Sequence, residues 1–509
     1  MRMIRYRKLY WLLCCFFAAS ASAQTVDIRS VGAVGDGKTD NTSFIQHAID
    51  SCARLGGGTV YFPAGIFLSA TIYLQSHVTL HLSGGATLLG VPDAKKYPYQ
   101  ASPLHFYGEE WARQALIVCH RQQDVAIEGT GTIDGQGARF VVNTLKKPDR
   151  YRDRPYLLWF VDCRQVSVKQ VHLQNSALWM QHYLGCDGVN IDGINVWNHS
   201  NKNNDLMDID GCKNVTISNV KGDSDDDGIT IKSTSPLISE NITISNCIVS
   251  SHCNAIKLGT ESTGGFRNIV ISNCVVRPSA QRSTIYGRAD GMGGLSLELV
   301  DGGIMENISI SNVVIEGPLV PLFVRLGNRA RPYRTGLPAP PPGSARNIQL
   351  SHITATGADA TGCSITGIPG ARLRDIRLDH ISIETAGTDS LFNKDMAVDE
   401  KESEYPEGVM FGKLPAYGLY IRHADQVQLS DISLRARTKD NRAAILADDV
   451  HDFSFAGLRA DVSGTAPAVV YARNSTDGTV SYYPRGSKTV KGLVMDKQSA
   501  RINCKDLSK

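Results

Sequence analysis

Along most of the chain apolar and polar residues alternate with a period of two, in short runs closed by polar turns. NVTISNV begins at Asn214, NITISNC at Asn241, NIVISNC at Asn268, NISISNV at Asn307 and NIQLSHI at Asn347. Looser copies begin at Asp124, Gln165, Gly188, Asp375, Gln426 and Asp452. Such alternation predicts strands with one buried face, and the Ile-x-Ile core of each run predicts inward apolar columns. Successive starts from Gln165 to Asn347 are 23, 26, 27, 27, 39 and 40 residues apart. A unit of 23–27 residues is one coil of a solenoid, the longer intervals being loops inserted at a corner. A leucine-rich repeat would need a more regular Leu pattern, and a propeller would need antiparallel blades with tight hairpins. The expected fold is therefore all-β, a right-handed parallel β-helix. Asn219, Asn246, Asn273 and Asn312, each five residues after a start, are expected to stack as an amide ladder.

The ends depart from this pattern. Thr42–Ala53 has helical spacing of Phe44, Ile45, Ala48 and Ile49, with Asp40 and Asn41 placed to cap its start and Gly56, Gly57 and Gly58 to stop it. This predicts an N-terminal helical cap over the first coil. The repeat fades after about Gly464, so residues 24–464 are read as the β-helix and 465–509 as a C-terminal capping tail. Residues 1–23 have a basic start, an apolar run from Leu9 to Ala19 and Ala21-Ser22-Ala23, the order of a cleaved secretory signal, and the run is too short to span a membrane. The expected location is secreted or periplasmic. Four long loops, Lys146–Tyr156, Arg277–Gly294, Gly327–Ser344 and Gly387–Tyr417, are expected to project together and line a groove.

Composition adds less. The net charge of +3 on 509 residues, with no basic stripe beyond the N-terminal segment, argues against nucleic acid as a partner. Ten cysteines remain beyond residue 23; Cys163, Cys186 and Cys212 fall two residues before a start, Cys247 and Cys274 six after one. This placement predicts columns of buried thiols, with one or two bridges as the alternative, and no Cys/His metal spacing occurs.

Candidate chemistry gathers between Asn203 and Ser233. Asp205 and the run Asp225, Asp226, Asp227 lie about one coil apart, since Asp226 is 21 residues beyond Asp205. Glycosidic hydrolysis needs one protonated carboxyl at the leaving oxygen and one carboxylate for water or the sugar, and crowding of Asp226 against its neighbours would hold a proton near neutral pH. DSDDDG also matches the start of a calcium-binding loop, but its twelfth position is Thr234 where a glutamate is required, and no helix pair flanks it. No metal or cofactor is expected.

These residues resemble glycoside hydrolase family 28, the polygalacturonase-like pectin-degrading enzymes, from about Val31 to Arg435. Asn203-Asn204-Asp205-Leu206-Met207-Asp208 is similar to the family's Asn-Thr-Asp-Gly-x-Asp, Asp226-Asp227-Gly228-Ile229-Thr230-Ile231-Lys232-Ser233 to its Asp-Asp-x-x-x-Ile-Lys-Ser, and Asn175-Ser176-x-x-Trp179 lies upstream. The resemblance implies an inverting hydrolase with Asp226 as general acid and Asp205 and Asp227 activating water. Two family features are absent: Asn254 stands in place of a histidine, and Ser296-Leu297-Glu298 in place of an Arg-x-Lys that grips the uronate carboxylate. Lys232, Lys257, Arg288 and Arg325 are candidate substitute cations, and Glu298 a candidate for sugar hydroxyls; an ion pair between Lys257 and Glu298 is the competing role. The expected substrate is a pectic poly- or oligosaccharide, of galacturonan or rhamnogalacturonan type, acted on by a monomer. A polysaccharide lyase and a non-catalytic glycan-binding β-helix are the rival readings.

Overall fold

The computed structural model describes residues 24–140, 151–390, 392–393, 396–486 and 490–508. Residues 1–23, expected to be a leader, and 141–150, which include the start of the loop Lys146–Tyr156, lie outside these residues. The described chain is almost wholly strand and forms a right-handed parallel β-helix. In its central coils each strand pairs in parallel with its counterpart one coil on, so three sheets run the length of the molecule. Tyr156–Val161, Gln181–Leu184, Met207–Asp210, Ile229–Ser233 and Asn254–Ser262 belong to the first sheet. Arg164–Lys169, Asp187–Asp192, Lys213–Ser218 and Ser239–Ser245 belong to the second. His172–Gln174, Asn195–Asn198, Lys221–Ser224 and Ile248–Ser251 form part of the third.

Inward columns follow from the alternation. Ile217, Ile244, Ile271 and Ile310 are stacked in register on the second sheet and fully buried. The repeat-start asparagines have left-handed backbone, φ 53–58° from Asn214 to Asn347, which asparagine tolerates better than other non-glycine residues. The amide ladder is found at this start column: Asn241 donates to Asn214, Asn268 to Asn241, Asn307 to Asn268 and Asn347 to Asn307 at 2.8–3.3 Å. The column five residues later contributes Asn312 to Asn273 at 3.3 Å, while Asn219 turns to Asp192. Both columns hold left-handed corners, and a spacing argument alone does not separate them.

Helix Thr42–Arg54 buries Ile45, Ala48, Ile49 and Cys52 against the first coil. Asp40 accepts the Thr42 amide at 3.0 Å, while the Asn41 side chain is bound to Val34 instead. All ten cysteines of the described chain are unbridged, and nine are buried, with Cys504 exposed. The sulfurs of Cys163 and Cys119 stack at 3.7 Å. Beyond Gly464 the repeat fades in sequence but continues in space: Val470 pairs with Ile445, Thr476 with His451 and Ala500 with Thr476. The strands Ala468–Arg473, Thr476–Gly486, Lys491–Met495 and Ala500–Asp506 thus continue the parallel stack. Among the described residues no helix is long and apolar enough to cross a membrane.

Candidate active site

Two turns entering neighbouring strands of the first sheet bring the aspartates together. Met207 pairs with Ile229, an offset of 22 residues, so Asp205 is in register with Asp227 and Asp226 lies one position short of it. The turns are fixed from below. Asn198 donates to the Asp205 carbonyl at 2.9 Å, and Asn204 donates to the carbonyls of Ser176 and Leu178 at 2.9 Å each. Ser224 and Ser251 donate to the Asp226 carbonyl at 3.1 and 2.6 Å. Gly228 lets the next coil approach, because a Cβ there would stand 2.2 Å from the Ala255 carbonyl oxygen.

Asp205, Asp226 and Asp227 line one cavity with Tyr151, Trp179, Lys202, Asn203, Lys232, Glu261, Tyr286, Tyr405 and Glu407. A wider depression of about 650 Å³ lies on the second sheet around Asp375, Arg377, Asp452 and Asp477. It has no buried carboxyl, and its arginines pair with its own aspartates, so it offers no comparable chemistry.

The three carboxyls have different surroundings. Burial, then repulsion from Asp208 and Asp226, raises Asp205 well above the usual range, with Lys232 opposing. Burial also raises Asp208. For Asp227 burial acts upward too, but Lys257 at 3.0 Å, Lys232 and the Asn254 amide at 2.9 Å outweigh it and lower the pKa. Asp226 accepts from Asn203 at 3.3 Å and from the Asp227 amide at 3.0 Å. Asp227 is thereby held ionised beside Asp205, which retains a proton, the pairing that general acid–base chemistry needs.

Asp225 plays a different part. Its oxygens accept the amides of Ile285 and Tyr286 at 2.8 Å and pair with His252 at 2.9 Å. Asp223 likewise holds Ser279 and the Ala280 amide. These two aspartates clamp the loop 277–294, which carries Tyr286 to the cavity; a calcium loop would need the same oxygens for metal.

The other expected site residues are spread over two layers. Lys232 lines the cavity, 4.8 Å from the Trp179 ring and within 3.4–3.8 Å of Asp205, Asp208 and Glu261. Asn254 and Lys257 lie beneath it and hold Asp227. Glu298 is completely buried 3.5 Å from Lys257, outside the cavity wall, which is the ion-pair role. Arg325 is also buried and donates to Thr366 and to the carbonyls of Gly367 and Glu400. Arg288 is exposed and outside the described cavity lining, two residues past Tyr286.

Sequence reasoning missed Glu261, Tyr405 and Glu407. Glu261 sits where the register of the first sheet slips between Ile231 and Ser233, an irregularity that alternation does not reveal. Tyr405 and Glu407 come from the loop 387–417, which was expected at the groove, although nothing in its sequence singled out these two.

Buried carboxyls of opposed protonation at the edge of one sheet of a parallel β-helix define a solenoid built for acid–base chemistry. The chain belongs to glycosyl hydrolases family 28, whose sequence profile matches residues 59–403, more than half of its length. It is 33% identical over 232 residues to a probable polygalacturonase of Vitis vinifera, covering 43% of this chain and 46% of that protein. It is 36% identical over 126 residues to an exo-poly-alpha-D-galacturonosidase of Dickeya chrysanthemi, covering 23% and 20%. The matched stretches thus span less than half the length of these curated relatives. The fold is similar to that of a hyperthermoactive exopolygalacturonase from Thermotoga maritima, with TM-score 0.61 and 23% identity over 81% of this chain and 92% of that one. It is also similar to a polygalacturonase from Erwinia carotovora ssp. carotovora, with TM-score 0.54 and 21% identity over 72% and 93%.

Proposed function

We propose that this protein is an exported, inverting glycoside hydrolase of pectic polysaccharide. The observation that carries the reading is the three-aspartate cavity, where Lys257 and Asn254 keep Asp227 ionised while burial and repulsion from Asp208 and Asp226 make Asp205 retain a proton. In the proposed step the ionised Asp227 takes a proton from a water whose oxygen bonds to the anomeric carbon, while the protonated Asp205 beside it helps to hold that water. The glycosidic C–O bond breaks, and the leaving oxygen receives its proton from Asp226. Trp179 and Tyr405 offer flat apolar faces for a sugar ring. Membership of the family and the polygalacturonase names of its relatives support a pectic substrate. The apolar run within residues 1–23 supports export.

Asp226→Asn is expected to lower kcat on pectic fragments by about a thousandfold or more. NMR of the first-formed product should show inverted anomeric configuration. Retention, an unsaturated product absorbing in the ultraviolet, or an Asp226→Asn variant as active as the parent would overturn the reading.

A further inference from the structure

Among the described lining residues Glu407 is the carboxyl that arrives from outside the repeat. It is carried by the loop 387–417 and lines the same wall as Asp205, Asp226 and Asp227. The Asn254 amide nitrogen lies 2.9 Å from Asp227 Oδ1 and 3.5 Å from Glu407 Oε2, so a single side chain bridges the two acids. We propose that Glu407 sets the substrate preference of this cavity, excluding a uronate carboxylate from the position beside Asp227 and admitting a neutral sugar that hydrogen-bonds through its hydroxyls.

Charge is the first support. The described lining holds five carboxyls, Asp205, Asp226, Asp227, Glu261 and Glu407, against two ammonium groups, Lys202 and Lys232. Lys232 already has three carboxylate neighbours. Below the floor Lys257 is committed to Asp227 and Glu298, and Arg325 donates to Thr366 and two backbone carbonyls. A sugar carboxylate seated beside Glu407 would meet like charge, while Lys232 and Lys257 among the described residues are already paired with carboxyls, and like-charge juxtaposition away from water costs enough to set specificity. A hydroxyl suits the position in either protonation state, because a carboxyl group donates or accepts and a carboxylate accepts. Burial pushes Glu407 up to about 7; Lys257 and Asn254 oppose this, and Asp227 and Asp226 add to it, while Glu298 and Cys253 are the other titratable groups coupled to it. Both states are therefore populated near neutral pH.

This inference deepens the hydrolase reading and rests on it for the nature of the ligand, so its test uses binding in a full-length Asp226→Asn background. Two probes are titrated by calorimetry: an oligogalacturonide and a rhamnogalacturonan oligosaccharide of equal length that alternates rhamnose with galacturonate. Adding Glu407→Gln, which keeps the shape and the hydrogen bonds but removes the charge, is expected to tighten oligogalacturonide binding about tenfold or more, while the alternating probe changes less than about threefold. Glu407→Ala should weaken the alternating probe, through the lost hydrogen bond. An unchanged ratio of affinities, a parent that prefers the oligogalacturonide, or no binding of either probe would overturn the inference. Hydrolysis by the parent chain reports separately on the hydrolase reading, so the two fail in distinguishable ways.

Discussion

Neither carboxyl oxygen of Glu298 accepts a hydrogen bond from the described residues, although the side chain is completely buried beneath the site. Among the described residues its oppositely charged partner is Lys257, at 3.5 Å. Burial is the largest influence and pushes its pKa up to about 8, with Lys257 opposing and Glu407 and Asp227 adding. An unfolded glutamate titrates near ~4.3. Between those values the folded state keeps a proton that the unfolded state has lost, so this group makes stability fall as pH rises through the interval. Glu298→Gln removes the titration. Whatever the offset between the two proteins at pH 5, the melting temperature of the variant relative to the parent should climb by about a degree or more, roughly 1 kcal/mol or more, by pH 8. Parallel curves for the two proteins from pH 5 to 8 would show that Glu298 is ionised throughout.

At the scale of elements, a column of the first sheet straps the loop 387–417 in place. Arg325, Thr366, Arg422, Asp448 and Arg473 follow one another in register on successive coils. Their arginines donate to loop carbonyls, Arg325 to Glu400 at 2.6 Å, Arg422 to Val398 at 2.7 Å and Arg473 to Met396 at 3.1 Å. Arg422 also pairs with the Glu400 side chain, which His423 contacts at 3.0 Å. Arg325 therefore holds the segment that presents Tyr405 and Glu407 to the cavity. Arg325→Met keeps the length and loses the donors. Amide exchange over residues 396–407 is expected to speed about tenfold or more, because each charged hydrogen bond to a carbonyl is worth roughly 1.5–3 kcal/mol against local opening. KM should rise more than kcat falls. Unchanged exchange in that segment would separate the arginine column from the loop.

For the whole molecule, a solenoid coil contacts only its neighbours, so removing coils exposes the next apolar face instead of trimming a surface. The strands Ala468–Arg473 and Thr476–Gly486 lie on Ala443–Val462 and help cover Ile445, Ala447, Phe453 and Phe455, all nearly inaccessible in the full chain. A chain ending at Val462 is expected to lose most of its soluble monodisperse fraction in size-exclusion chromatography with light scattering, since an uncovered edge of parallel strands is a template for aggregation. A truncated chain that remained soluble, with an unchanged melting temperature, would show the last coils to be dispensable.

The sequence by itself determined the repeating architecture and the grouping of the candidate carboxyls, because both are local. Alternation fixes which face of a strand is buried, and a left-handed corner selects asparagine at the turns from Asn214 to Asn347. Asp205 and Asp227 then fall into register because the coil between them has no insertion. What the tertiary structure decided is everything carried by side chains distant in sequence. Asp225 and Asp226 are adjacent in the chain, yet one clamps a loop and the other faces the cavity, because the turn points them to opposite sides. Lys257, Glu298 and Arg325 are cations and an acid of plausible type, but burial and ion pairing commit them to the floor and the loop strap. Glu407 reaches Asn254 across 153 residues, a contact made by the path of a loop that has no repeat to predict it. Periodicity determines the coil and its register, while the lining of the cavity depends on the loops' long-range contacts, and those settle its charge.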